Sequence, residues 1–406
     1  MKILVICQYY APEPMRIADI CKELVRRGHE VDVVTGVPNY PAGVVYDGYR
    51  HGKRRDEMID GVHVHRCFTV ARRKGGFFRF LNYYSYALSS SLYVSRRKRK
   101  YDVIFVNQLS PVMMASAAVR YRRKHGTPLV LYCLDLWPES LTAGGIRRGS
   151  LLYRIFHRIS GDLYRRADAI AVTSKDFIGY FTEQFGIAPE ALSYLPQYAE
   201  DLFEPQPLPE KETVDLTFAG NIGAAQSVET ILRAAAKLTD VPSLRFHIVG
   251  EGSSLAACQA LADELSLTNV CFYGRRPLTE MPDFYRRSDA MLVTLARDPL
   301  LSKTLPGKVQ SYLAAGKPIL GAIDGEAASV IAEADCGLTS PAEDADALAA
   351  SIRRFLTADR AAYSKNAYDY YLAHFHKDAF FEDLEALLAN TKRKVDKPWN
   401  TPPSVS

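Results

Sequence analysis

The sequence predicts an α/β protein built from two doubly wound, parallel-sheet domains, and three observations carry that prediction. The chain has 406 residues, and at about 100–200 residues per domain it calls for two sizeable domains. Short β-branched runs alternate with amphipathic helical patterns through both halves, the alternation expected when helices cover both faces of a parallel sheet. Between the two series lies PQYAEDLFEPQPLPEKET at 196–213, whose four prolines can neither continue a helix nor donate to a ladder.

In chain order, MKILVICQYY reads as a strand and ADICKELVRRG as a helix ending at Gly28, where a left-handed residue belongs. HEVDVVTG, VHVHRCFTV, DVIFVNQ, PLVLYCLD and AIAVTS are the next strands, so residues 1–195 read as a Rossmann-like domain. Residues 196–213 are the connector. Residues 214–370 form the second such domain, with strands VDLTFAG, LRFHIVG, VCFYG, AMLVTL and PILGAI and helices SVETILRAAAKL and SLAACQALADELS. Residues 371–390 hold C-terminal helices that include FEDLEALLAN, for which a return to the first domain is one course. Residues 391–406 have the composition of a flexible tail.

Composition narrows the class. Hydrophobic content of 48% and charged content of 24% exclude disordered, collagen-like and disulfide-scaffold chains. Seven scattered cysteines without a C-x-x-C pair read as buried thiols of a reducing cytoplasm, not as a zinc site or a disulfide framework. Met1 and Lys2 lead straight into a strand, so no signal peptide is expected, and no apolar run reaches the 18 residues of a membrane span. Residues 1–200 carry 30 Lys/Arg against 18 Asp/Glu, and residues 201–406 carry 21 against 28. The basic half is expected to meet an anionic partner.

Ligands of open α/β sheets gather at the carboxyl ends of the strands, and the informative motifs fall there. In FAGNIGAAQSVETIL, Gly220, Asn221 and Gly223 follow a strand and precede a helix, the shape of a phosphate loop or of a plain turn. Gly250 in GEG is a weaker copy. In SKTLPGKVQSYLAAGKPIL, Pro306 and Gly307 start a helix that stops at Gly316, with Lys303 and Lys308 beside its positive end. Solvated surface is the plainer alternative, yet the two motifs together read better as a diphosphate clamp. In LYCLDLWPES, Asp135 and Glu139 suit sugar hydroxyls and Trp137 suits a pyranose face; equally, Asp135 suits a helix cap and Trp137 core filler.

Residues 71–100 place Phe77, Leu81, Tyr84, Leu88 and Leu92 on one helical stripe, with Phe78 beside it and Arg96, Arg97, Lys98, Arg99 and Lys100 at its end. This suits a membrane interface or a helix packed on the sheet, and no nucleic-acid motif accompanies it. His63 and His65 lack a third ligand. No G-x-S-x-G, Walker lysine motif or first-strand G-x-G-x-x-G occurs, against a serine hydrolase, a P-loop ATPase and a conventional dehydrogenase.

Together QYYAPEP, RRGHEVDVVTGVPNYP, DLWPES, FAGNIGAAQS and DPLLSKTLPGKVQSYLAAGKPIL give a family likeness. Over nearly its full length the chain resembles retaining glycosyltransferase family 4, of the GT-B fold. The likeness is strongest to the bacterial O-antigen, capsule and exopolysaccharide branch, which includes N-acetyl-fucosamine-type transferases. The resemblance implies a nucleotide-sugar donor in the C-terminal domain and an acceptor in the N-terminal one. It places Gly220, Asn221, Gly223, Gln226 and Lys308 near the donor diphosphate, with Gly250, Lys303 and Ser311 in the same set. Thr304, Leu305 and Gly307 offer backbone contacts there, and Gly274 and Arg275 meet the base. On the acceptor side it places Asn39, Tyr40, Asp135, Trp137 and Glu139, with Pro12, Glu13, Pro14 and Arg16 near the reacting centre. Lys308, Asp135 and Glu139 are the catalytic candidates.

The departures from the family pattern are specific. Lys303 and Ser311 stand where the family usually has a glutamate pair, Asn221 and Gln226 where it has Arg and Lys, and Leu134 where a histidine is common. The resemblance implies that the acceptor hydroxyl attacks on the face the diphosphate leaves, and that a phosphate oxygen takes its proton. No metal cofactor and no D-x-D pair are expected. The expected function is transfer of a hexose or N-acetylhexosamine, UDP-linked by the branch resemblance, to a lipid-diphosphate-linked sugar or an oligosaccharide. The expected location is the inner face of the cytoplasmic membrane. The alternatives are a sugar-nucleotide epimerase on the same scaffold and a non-catalytic nucleotide-sugar-binding component of a membrane polysaccharide complex.

Overall fold

A computed structural model describes residues 1–73 and 75–395; residues 396–406 of the expected tail lie outside the described residues. The chain divides into two compact units, one of residues 1–173, 177–195 and 381 onward, the other of residues 174–176 and 196–380.

The first unit contains β1 (Lys2–Ile6), α1 (Ile17–Arg26), β2 (Glu30–Gly36), β3 (Asp56–Ile59), β4 (Val62–Cys67), α2 (Gly76–Arg96) and β5 (Val103–Gln108). It continues with α3 (Ser116–His125), β6 (Leu129–Cys133), α4 (Leu151–Tyr164), β7 (Ala169–Val172), α5 (Asp176–Phe185) and β8 (Leu192–Tyr194). The sheet order is β3-β4-β2-β1-β5-β6-β7-β8, parallel throughout except for the β3–β4 pair. Its central strands are unbroken apolar runs because both faces are covered; every residue of LVLYC in β6 is buried. β3 escaped sequence reading because it is a four-residue, largely exposed edge strand without an apolar face. Gly28 takes φ +87° and closes α1 as expected.

The second unit contains β9 (Val214–Ala219), α6 (Val228–Ala236), β10 (Leu244–Val249), α7 (Leu255–Glu264), β11 (Val270–Gly274), α8 (Met281–Arg287) and β12 (Ala290–Thr294). After these come α9 (Gly307–Ala314), β13 (Ile319–Ala322), α10 (Glu326–Glu333), β14 (Gly337–Ser340), α11 (Ala345–Leu356) and α12 (Arg360–His374). All its strands are parallel, in the order β11-β10-β9-β12-β13-β14. The two-residue period of β12 divides its side chains between two cores: Met291 and Val293 pack with Val309 and Tyr312, while Ala290 and Leu292 pack with Ile231 and Phe355.

Two segments at the boundaries take definite places. Residues 196–213 are a strap on the second unit, where Ala199 and Phe203 enter the core and Phe203 stacks on Tyr285 at 4.7 Å. Proline removes ladder hydrogen bonds but leaves neighbouring apolar side chains free to pack. The final helix, α13 (Lys377–Val395), groups with the first unit from Phe381 onward. There Arg27 lies 5.0 Å from the Phe381 ring, Glu385 takes hydrogen bonds from Arg27 and His29, and Lys392 pairs with Asp102 at 2.7 Å. Six of the seven cysteines are buried and all are free thiols; Cys271 is exposed because it lies on the edge strand β11.

Candidate active site

The donor candidates converge in the second unit. β9, β10 and β11 each end on or run into a glycine, and Gly220, Gly250 and Gly274 have φ of +145°, +148° and +65°. Gly250 is needed for packing: a Cβ there would lie 1.7 Å from the Gly220 carbonyl oxygen, so this glycine lets two loops pass. The Gly220 loop is tied by Gln226, whose Oε1 accepts from Asn221 Nδ2 at 2.8 Å and from Gly223 N at 3.2 Å. Gln226 therefore shapes the loop that the resemblance has it line.

α9 faces this loop. Tyr312 and Lys308 are four residues apart and share a helix face. The Tyr312 hydroxyl donates to the Ala219 carbonyl and accepts from the Ala219 N–H, both at 3.2 Å, which pins α9 to the end of β9. Lys308 is thereby laid against Gly220, where an added Cβ would meet its Nζ at 2.9 Å. The ammonium is buried, lies 3.7 Å from the centre of the Phe218 ring and has no hydrogen-bond partner among the described residues. Burial pulls its pKa down to about 7. α9 opens at Gly307 with no side-chain cap; the Val309 N–H bonds the Pro306 carbonyl at 2.9 Å, which leaves the Gly307 and Lys308 amides to a ligand.

The other donor candidates divide. Gly307 and Arg275 are exposed, and Gly274 has open space around its Cα. Leu305 is buried in the core, and the Thr304 hydroxyl donates to Leu301 O at 2.7 Å, which leaves their backbone groups. The Lys303 carbonyl accepts from Ser174. Ser311 is turned inward, with its hydroxyl donating to Glu200 at 3.1 Å and to Gly307 O at 3.3 Å. Glu200, on the proline-rich strap, is a carboxylate that sequence reading missed; no periodic pattern marks it.

In the first unit, several acceptor candidates prove to be supports. Glu13 is buried and accepts from the backbone amides of Tyr40 (2.7 Å), Asn39 (2.8 Å) and Tyr10 (3.2 Å), joining the loops after β1 and β2. Burial raises its carboxyl to about pKa 7, with those three amides opposing. Asn39 is buried and bonded to Val37 O and the Arg72 amide. Glu139 is buried among Arg148, Tyr153 and Tyr180, all of which donate to it. Trp137 is buried edge-on to Phe156 and presents no open face to a sugar. Asp135 accepts from Ser110, and burial raises its pKa; it caps no helix. Pro12 and Pro14 are exposed, while Arg16 and Tyr40 keep part of their surface open. Sequence reading also missed Arg66, a buried cation that pairs with Glu57 and donates to the carbonyls of Gly36 and Ala11. Its place on β4, among residues that looked like strand filler, hid it.

Two family matches tile this architecture. Residues 15–197 match the glycosyl transferase 4-like domain, and residues 199–370 match glycosyl transferases group 1. The chain is a GT-B glycosyltransferase. Over 339 residues it is 27% identical to an Escherichia coli K12 protein described as a colanic acid biosynthesis glycosyl transferase, WcaI, covering 78% of this chain and 82% of that one. Its fold matches sucrose-phosphate synthase from Thermosynechococcus elongatus with a TM-score of 0.73 at 16% identity, over 97% of this chain and 99% of that one. Anabaena HepE, solved with UDP and glucose, matches with a TM-score of 0.69 at 16% identity, over 96% and 99%.

The expected membrane helix of this glycosyltransferase, α2, is turned in an unusual way. Its buried face is polar: Asn82 bonds Gln8 and Val70 O, and Tyr86 donates to Cys7 O and Val34 O at 2.9 Å. Phe77, Leu88 and Leu92 are consequently exposed, at 70%, 65% and 52%, while Phe78, Leu81 and Tyr84 are half-buried. The basic run is divided, because Arg97 and Arg99 pair with Asp32 and Glu30; Arg96, Lys98 and Lys100 remain exposed. A second apolar surface went unread: Leu151, Leu152, Ile155 and Ile159 on α4 are exposed. Both helices pack on the short turn Val112–Ala115. Among the described residues no helix is long and apolar enough to cross a membrane, and no three His, Cys, Asp or Glu side chains group so as to hold a metal ion.

Proposed function

We propose that this glycosyltransferase moves a hexose or N-acetylhexosamine from a UDP-sugar to a lipid-diphosphate-linked sugar in cell-surface polysaccharide synthesis, with retention and without a metal. The observation that carries the donor half is the buried, unpartnered ammonium of Lys308 against the bare face of Gly220. A cation held without a counter-ion in a low-dielectric site lacks its anion, and a leaving diphosphate supplies it. The open amides at the start of α9 add the positive end of a helix dipole. The charge on the diphosphate is thus met by the chain's own groups. UDP is favoured by the nucleotide seen in HepE, and polysaccharide synthesis by the role given to WcaI. Glu200, beside Ser311, is the carboxylate placed to take hydroxyls of the donor.

In this reading the acceptor hydroxyl attacks on the face from which the diphosphate departs. Glu13, Asn39 and Glu139 hold the acceptor loops in shape, and Asp135 is the one of the three carboxyls that is not fully buried. The exposed apolar faces of α2 and α4, with Arg96, Lys98 and Lys100, dock the enzyme on an anionic membrane surface at the cytoplasmic side. The test is a transfer assay with UDP-, GDP- and ADP-sugars and a lipid-diphosphate-linked acceptor. Turnover with a UDP-sugar that falls at least about 100-fold in Lys308→Ala supports the reading; unchanged turnover in that variant removes Lys308 from the mechanism.

A further inference from the structure

The first unit holds a cavity of about 560 Å3 that the donor and acceptor assignments leave unused. It lies between the loop after β2 and the loop after β4, at the carboxyl ends of both strands, and has two kinds of wall. Val44 and Phe68 line it while remaining 55% and 60% exposed, with Val37, Val45 and Ala71 between them. Arg50, Arg55 and Arg73 line it as well. Among the described residues neither Arg55 nor Arg73 has a carboxylate partner, and Arg50 faces only the exposed Asp47 at 3.3 Å. The shape is built in: a Cβ on Gly43 would lie 2.5 Å from the Arg72 carbonyl oxygen, so this glycine lets the two loops close on each other.

Guanidinium groups without carboxylate partners, set beside exposed apolar side chains in one concave surface, put positive potential next to hydrocarbon that water would otherwise cover. A soluble anion satisfies the arginines and leaves Val44 and Phe68 wet. A hydrocarbon satisfies the floor and leaves the arginines bare. We infer that the cavity binds a lipid phosphate or diphosphate, with Arg55 and Arg73 on the phosphate oxygens and the first carbons of the chain on Val44 and Phe68. The onward path for the chain is apolar: the Arg73 guanidinium lies 5.6 Å from the Phe78 ring, and Phe77 and Phe80 beside it are exposed. This inference deepens the proposed acceptor and rests on that reading for its biological meaning, although the binding itself does not.

The test measures equilibrium binding of farnesyl diphosphate, inorganic diphosphate and farnesol to the full chain and to two double variants, Arg55→Gln/Arg73→Gln and Val44→Ser/Phe68→Ser. All four side chains are exposed, so both variants should fold, which circular dichroism checks. The expected result is that farnesyl diphosphate binds about tenfold or more tightly than either half-molecule, and that each double variant loses about tenfold. UDP affinity should be unchanged in both. Equal binding of inorganic diphosphate, undiminished farnesyl diphosphate binding in the variants, or a parallel fall in UDP affinity overturns the inference; the last outcome would make this a nucleotide site. Binding here without transfer to any lipid-diphosphate-linked sugar sinks the acceptor reading alone. Transfer that is unimpaired in both variants sinks the cavity assignment alone.

Discussion

Lys308 and Glu13 are two buried ionisable side chains with opposite uses. Lys308 sits at about pKa 7 when folded and near 10.5 when unfolded, so between those values the unfolded chain binds more protons and stability rises with pH. Lys308→Met should therefore raise the melting temperature near pH 7 while abolishing the response to UDP, a pairing that calorimetry can check. A diphosphate restores the charge on this lysine, so UDP affinity should weaken as pH climbs from about 7 to 9, by at most about tenfold per unit. A flat profile would mean that the ammonium is not the group that meets the phosphates. Glu13 has the reverse sign. Its folded pKa of about 7 lies above the ordinary 4.5, so its contribution to stability declines as pH rises through that window. Its two oxygens take three amides, and Glu13→Gln turns an NH2 group toward one of those donors. A loss of about 1–3 kcal/mol in denaturant unfolding is expected.

At the scale of elements, the periodic signals were legible and the inverted ones were not. Strands such as ILVI and LVLYC and the stop of α9 before Gly316 follow directly from burial and backbone chemistry. α2 misled because its apolar stripe was read as a packing or membrane face without knowing that Asn82, Tyr86 and Ser90 would be the buried side. Tyr86 reaches the Val34 carbonyl of β2 and Asn82 bonds Gln8 and Val70 O, polar contacts that a hydrophobic period does not register. The same limit hid the role of Glu139, which looked like a sugar contact in DLWPES and is instead enclosed by Arg148 and two tyrosines. The exposed leucines and isoleucines of α4 carry a direct expectation. Leu151→Ser with Ile155→Ser should leave thermal stability unchanged and lower sedimentation with anionic liposomes several-fold, since each buried apolar group adds about 0.8 kcal/mol per CH2. Equal sedimentation would assign that face elsewhere.

For the whole molecule, residues 1–200 carry 30 Lys/Arg against 18 Asp/Glu and residues 201–406 carry 21 against 28; in the proposed reading the basic half meets an anionic surface, and the acidic half meets its anionic donor through one buried lysine. Because UDP binds only the second unit in this reading, it should move one of two calorimetric transitions. The shift should correspond to about 2.7 kcal/mol at one hundred times its dissociation constant. A shift of both transitions would show that the units melt together.

The return of α13 to the first unit has a consequence for how the protein is made. Leu384 and Leu388 are buried and Glu385 is bonded to residues 27 and 29, so the first unit completes its packing only with residues translated after the whole of the second. On the ribosome the second unit can close on residues already made, whereas the first waits, with the surface beside α1 uncovered, for α13.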